Sequence, residues 1–109
     1  LLLLRWDNPD EIGVVPSKIF EYLSSNRPIL SIGSSGGVIE EILTKTNAGV
    51  SLVSCEDIKS EILKYYSEFK LCGNINYNGK VEEINRYSQK EMTKQFVNVF
   101  NHVLKCSNN

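Results

Sequence analysis

The chain opens on four consecutive leucines, Leu1 to Leu4, and turns polar at Arg5. A short unbroken apolar run bounded by turn residues suits a central parallel strand covered on both faces. Asp7-Asn8-Pro9-Asp10 reads as a turn, and Pro9 biases Asn8 away from helix. A helix is predicted from Pro16, because proline at the first helical position gives up a donor that has no partner there anyway. Ile19, Phe20 and Leu23 recur on one of its faces, and Asn26 is its stop. Residues 28–32 then give a second strand. The loop Gly33-Ser34-Ser35-Gly36-Gly37 feeds a helix whose apolar side is Ile39, Ile42 and Leu43.

A third strand is predicted over 49–53. Ser54 with Asp57 forms a capping box that opens a helix with Ile58, Ile62, Leu63 and Tyr66 on its buried side. Residues 71–79 are polar and hold two glycines and three asparagines, which predicts a loop. Ser88 with Glu91 is a second capping box, so residues 80–86 are expected as a short helix and 89–105 as a longer one. Met92, Phe96, Val99, Phe100 and Val103 form the apolar stripe of that last helix. The alternation of strand and helix predicts an α/β fold built from βαβ units, a parallel sheet with helices on both faces. Ligands bind such sheets beyond the carboxyl ends of the strands, here residues 7–17 and 33–37.

At 109 residues the chain fits one small domain, with residues 80–105 as its C-terminal helices. The net charge is −1 and Lys and Arg are scattered, which argues against a polyanion such as nucleic acid as partner. Cys55, Cys72 and Cys106 are far apart and odd in number, so no zinc or thiol redox motif is supported. Free thiols in a reducing cytosol are the simplest expectation, which places the protein in the cytoplasm. The leucine run is too short for a signal peptide, and a membrane span needs roughly 20 apolar residues. Starting without Met directly in a strand-like run, the chain is expected to be a piece of a longer protein, whose membrane association stays open.

The most specific text is Gly13-Val14-Val15-Pro16-Ser17-Lys18-Ile19-Phe20-Glu21-Tyr22-Leu23, followed by Arg27-Pro28-Ile29-Leu30. Free backbone N–H groups at a helix start attract anions, and Lys18 adds a mobile positive charge beside them. Glu21, three residues on, shares nearly the same helical face and can accept hydrogen bonds from a vicinal diol such as a ribose. Phosphate at the amides and hydroxyls at the carboxylate describe a nucleotide. The plainer alternative is a surface ion pair between Lys18 and Glu21.

These residues, with Ser35-Gly36-Gly37-Val38-Ile39-Glu40-Glu41-Ile42 and Ala48-Gly49-Val50, resemble the C-terminal part of GT-B glycosyltransferases of the family 4 type. The resemblance runs from Leu1 to about Leu104. It implies that residues 1–109 are a partial Rossmann-like domain that binds a nucleotide-sugar donor, while a separate N-terminal domain binds the acceptor. The implied reaction is glycosyl transfer from a UDP- or GDP-sugar, without a bound metal or other cofactor, and with retention at the sugar carbon. Glu21 matches the glutamate that holds the donor ribose. Val14, Val15 and Ser17 match the loop whose amides meet the diphosphate and sugar, and the charge of Lys18 suits a phosphate. Gly13 stands where the family carries a glutamate that touches the donor sugar, and Glu11 is the nearby carboxylate, two residues out of place. The Arg and Lys that neutralise the leaving diphosphate fall upstream of position 1, so no catalytic residue is assigned and the chain is not expected to act alone.

Other features carry less. Asp7-Asn8-Pro9-Asp10-Glu11 lacks the pattern of a calcium loop and reads as a solvated turn. Gly33 to Gly37 is neither a Walker A loop nor a dinucleotide fingerprint, and for this loop, Gly36 and Gly37 included, a structural and a ligand-facing role are both open. Glu40 and Glu41 suit a helix N-terminus, and His102 a helix C-terminus. Trp6 sits at a strand end, where a core or rim role is the plainer one. A second class of function, a non-catalytic flavodoxin-like signalling or interaction domain, fits the same α/β order. A receiver of that kind needs a Lys after the third strand, and Ser54-Cys55-Glu56 stands there.

Overall fold

Leu2–Leu4 forms the first strand, β1, which lies at an edge of the sheet and not at its centre as expected, and pairs with the second strand, β2, at Ile29–Ile32. In the computed structural model, which describes residues 1–6 and 8–107, a third strand, β3 (Gly49–Leu52), completes a parallel sheet in the order β1-β2-β3. Leu2 is level with Leu30 and Val50, Leu3 with Ser31 and Ser51, and Leu4 with Ile32 and Leu52. Residues level with one another in a parallel sheet share a face. One face therefore carries Leu3, Ile29, Ser31 and Ser51, and the other Leu2, Leu4, Leu30, Ile32, Val50 and Leu52.

Helices α1 (Lys18–Ser24) and α2 (Gly37–Thr46) make the two crossovers. Both connections step in the same direction across the sheet, so right-handedness puts both helices on one side. Ile19, Leu23, Ile39, Ile42 and Leu43 pack there on Leu3 and Ile29 to form the buried core. The expectation of helices on both faces is corrected here: Leu2 is 51% and Leu4 68% exposed on the opposite, wholly apolar face. A short helix α4 (Val81–Asn85) adds a layer outside α2, tied down by the Lys80 N–H to the Thr46 carbonyl at 2.7 Å. Tyr87, just beyond it, meets Phe20 of α1 with ring centroids 6.3 Å apart.

The local signals place the ends of the elements. Asn8 caps a 3-10 turn, Pro9–Glu11, by accepting the Asp10 N–H at 3.1 Å; Asp7 lies outside the described residues. The first turn of α1 is of 3-10 type, with the Ile19 N–H on the Pro16 carbonyl, and Asn26 follows the helix with a left-handed φ of 53°. Ser54 Oγ accepts the Asp57 N–H to open α3 (Cys55–Cys72), and Gly73, φ 68°, closes it. Ser88 Oγ accepts the Glu91 N–H at the start of α5 (Gln89–Ser107).

The expected buried faces of α3 and α5 are a second correction. Ile58 is half-buried, but Ile62, Leu63 and Tyr66 are exposed, as are Phe96, Val99, Phe100 and Val103. The periodicity is real, yet three short strands and two helices offer no surface long enough to receive either helix. The outline of 63 × 33 × 17 Å reflects this, and the radius of gyration is 17.3 Å, against about 13 Å for a compact chain of roughly 100 residues.

Candidate functional site

An open cavity of about 540 Å³ runs along the free edge of β1, lined by Leu2, Leu3 and Leu4, and continues past its carboxyl end. Arg5 and Trp6 reach it from the end of β1, Ser34 from the end of β2, and Glu11, Val14 and Ser17 from the β1–α1 connection. Lys18 and Tyr22 line it from α1, one helical turn apart. Only the part formed by Arg5, Trp6, Ser34 and the β1–α1 connection lies at the end of the sheet where α/β folds place their ligands.

The loop between β1 and α1 is short of internal partners. Val14 donates its N–H to the Glu11 carbonyl at 2.9 Å, so it offers the cavity a side chain and not an amide. Among the described residues, the N–H groups of Val15, Ser17 and Lys18 make no backbone hydrogen bond. Ser17 and Lys18 line the cavity, whereas Val15 is half-buried against the core.

Two cations share the cavity with one carboxylate, Glu11. Among the described residues, neither Arg5 nor Lys18 forms an ion pair, and the alternative surface pair between Lys18 and Glu21 is not made. Arg5 is anchored through Nη2, which donates to Ser34 O at 2.5 Å and to Ser34 Oγ at 2.7 Å. Its Nη1 is shut off from solvent and has no hydrogen-bond partner among the described residues. A buried charged donor left unpaired costs roughly 1–3 kcal/mol or more, a cost that an anion beside it reduces.

The remaining sequence candidates lie around this centre and not in its walls. Glu21 is exposed and outside the lining. At 3.6 residues per turn it projects about 60° to one side of Lys18, while Tyr22 lies about 40° to the other. Gly36 and Gly37 are also outside the lining. Gly36 N–H donates to the Glu40 carboxylate, which fills the start of α2 from within the protein and bears out the plainer role given to Glu40. A Cβ on Gly37 would sit 2.6 Å from the Ile12 carbonyl oxygen, so that glycine lets the two loops close on each other. The space around Gly13 is open, with nothing within 4 Å of a Cβ built there.

Arg5 and Tyr22 line the cavity without being singled out in the sequence, and Ser34 is marked there only as part of the 33–37 loop. A charge placed directly at the end of a four-leucine strand is the one local signal that could have marked Arg5. Among the described residues, no three His, Cys, Asp or Glu side chains stand together as a metal group would require, and no helix is long and apolar enough to cross a membrane. Comparison with family models, with characterised proteins and with solved structures finds no match to this chain.

Proposed function

We propose that this chain binds the diphosphate of a nucleotide sugar in the cavity beyond β1, as the donor-binding part of a GT-B glycosyltransferase. The observation that carries the reading is the meeting of Arg5 and Lys18, two cations without carboxylate partners among the described residues, beside the unbonded amides of Ser17 and Lys18. Such a set suits the charge of a diphosphate and the charge that develops on it as the sugar departs. Glu21, on the flank of Lys18, takes the ribose hydroxyls of a UDP- or GDP-sugar that extends past the rim. Glu11, which lines the cavity where Gly13 offers no side chain, takes the sugar. The acceptor belongs to a second, N-terminal domain of the parent enzyme, so the piece binds donor without turning it over. The three unbridged cysteines accord with a cytoplasmic protein.

Ligand-induced thermal stabilisation tests the reading. UDP or GDP at 100 times its dissociation constant raises stability by about 2.7 kcal/mol, and beryllium fluoride with Mg²⁺ does not. Stabilisation by the phosphate mimic alone points to a signalling receiver instead.

A further inference from the structure

Resting on the nucleotide reading above, we propose that the Ser34 hydroxyl donates a hydrogen bond to a phosphate oxygen of the bound nucleotide and that Arg5 aims it. Ser34 is only 9% exposed, yet it lines the cavity. Its Oγ accepts Nη2 of Arg5 at 2.7 Å, and its carbonyl oxygen accepts the same nitrogen. A serine hydroxyl has one proton to give and two lone pairs to receive. With a lone pair committed to the guanidinium, the proton is turned away from Arg5, and among the described residues no acceptor takes it. Accepting from a cation polarises the O–H bond and makes it a stronger donor.

The nature of the acceptor follows from charge. Arg5 has no carboxylate partner among the described residues, and its Nη1 is closed to solvent. Arg5 therefore sets a positive charge directly beside Ser34, which favours an anionic oxygen over a sugar hydroxyl. The Ser34 hydroxyl touches the ligand, and Arg5, beyond the charge it brings to the cavity, positions that hydroxyl. The pair is 29 residues apart in sequence and is held by the parallel pairing of β1 with β2, including the Arg5 N–H to the Ile32 carbonyl at 2.8 Å. Gly33 makes the approach possible: a Cβ there would lie 2.8 Å from the Arg5 Cβ.

The test is calorimetric titration of the 109-residue chain with UDP, GDP and their nucleosides. Ser34→Ala weakens the diphosphate roughly 10- to 100-fold and leaves the nucleoside unchanged, whereas Ser34→Thr, which keeps the hydroxyl, stays within about threefold. In an Arg5→Met background, Ser34→Ala has no further effect, since the hydroxyl has lost its orientation. Should Arg5→Met fail to fold, the Ser34→Ala and Ser34→Thr pair decides. Undiminished diphosphate binding by Ser34→Ala, or fully additive losses in the double variant, overturns the inference alone. A wild-type chain that binds neither UDP nor GDP removes the nucleotide reading beneath it.

Discussion

Lys18 lines the cavity beside β1, and Glu21, three residues later in the same helix, does not. The two side chains diverge by about 60° around the axis of α1. One ligand can reach both only if its charged part sits inside and its diol extends over the rim. A nucleoside diphosphate has that shape.

The split separates the two residues experimentally. Lys18→Ala is expected to weaken UDP or GDP by about tenfold at low salt and to flatten the salt dependence of binding. Glu21→Ala is expected to cost a similar factor with the ribonucleotide and almost nothing with the 2′-deoxy analogue. Equal losses with both sugars remove Glu21 from the ribose.

Gly13 and Glu11 give a second comparison. Nothing lies within 4 Å of a Cβ at Gly13, so Gly13→Glu is expected to fold. It is expected to tighten the nucleotide sugar relative to the free diphosphate by about tenfold, and Glu11→Ala shifts the same ratio the other way. Fluorescence competition between the two ligands reads the ratio; an unchanged ratio in both variants takes the sugar away from this loop.

Ser31 offers a stability test independent of any ligand. Its side chain is fully buried under α1 and α2, and among the described residues its hydroxyl has no hydrogen-bond partner. Removing an unsatisfied buried group is neutral or favourable, so Ser31→Ala leaves the urea midpoint unchanged or raises stability by about 1 kcal/mol. A clear loss points to a partner for the hydroxyl that the fold does not reveal.

Tyr65, on α3, has its pKa held well above the ordinary 10.0, first by burial and then by the nearby Glu61 and Glu68 carboxylates. The unfolded chain ionises first as pH rises, and so it releases protons that the folded chain keeps. Stability is accordingly intact below about pH 10 and falls above it. Tyr65→Phe is expected to reduce that alkaline loss, as denaturant midpoints from about pH 9 to 11 report; identical slopes contradict it.

Much of the local structure was legible because single residues determine it. Ser54 and Ser88 mark helix starts by side-chain geometry, and the leucine run marks a strand. Burial was less legible, because the stripes on α3 and α5 say that a helix has an apolar side and not whether anything meets it. The same holds for the sheet, whose second face is wholly apolar and yet lies half-open. At the site, Lys18 and Ser17 were readable from their place at a helix start. Arg5 was not, nor was its link to Ser34, since only the pairing of Leu4 with Ile32 brings two such distant positions together.

The most direct test of the central claim is a titration of the isotope-labelled chain with UDP and GDP, followed by amide resonances. The account predicts saturable shifts at Arg5, Ser17, Lys18 and Ser34, with α5 silent. No shift at millimolar nucleotide, or shifts confined to the far cavity beside Glu68 and Tyr77, would contradict it.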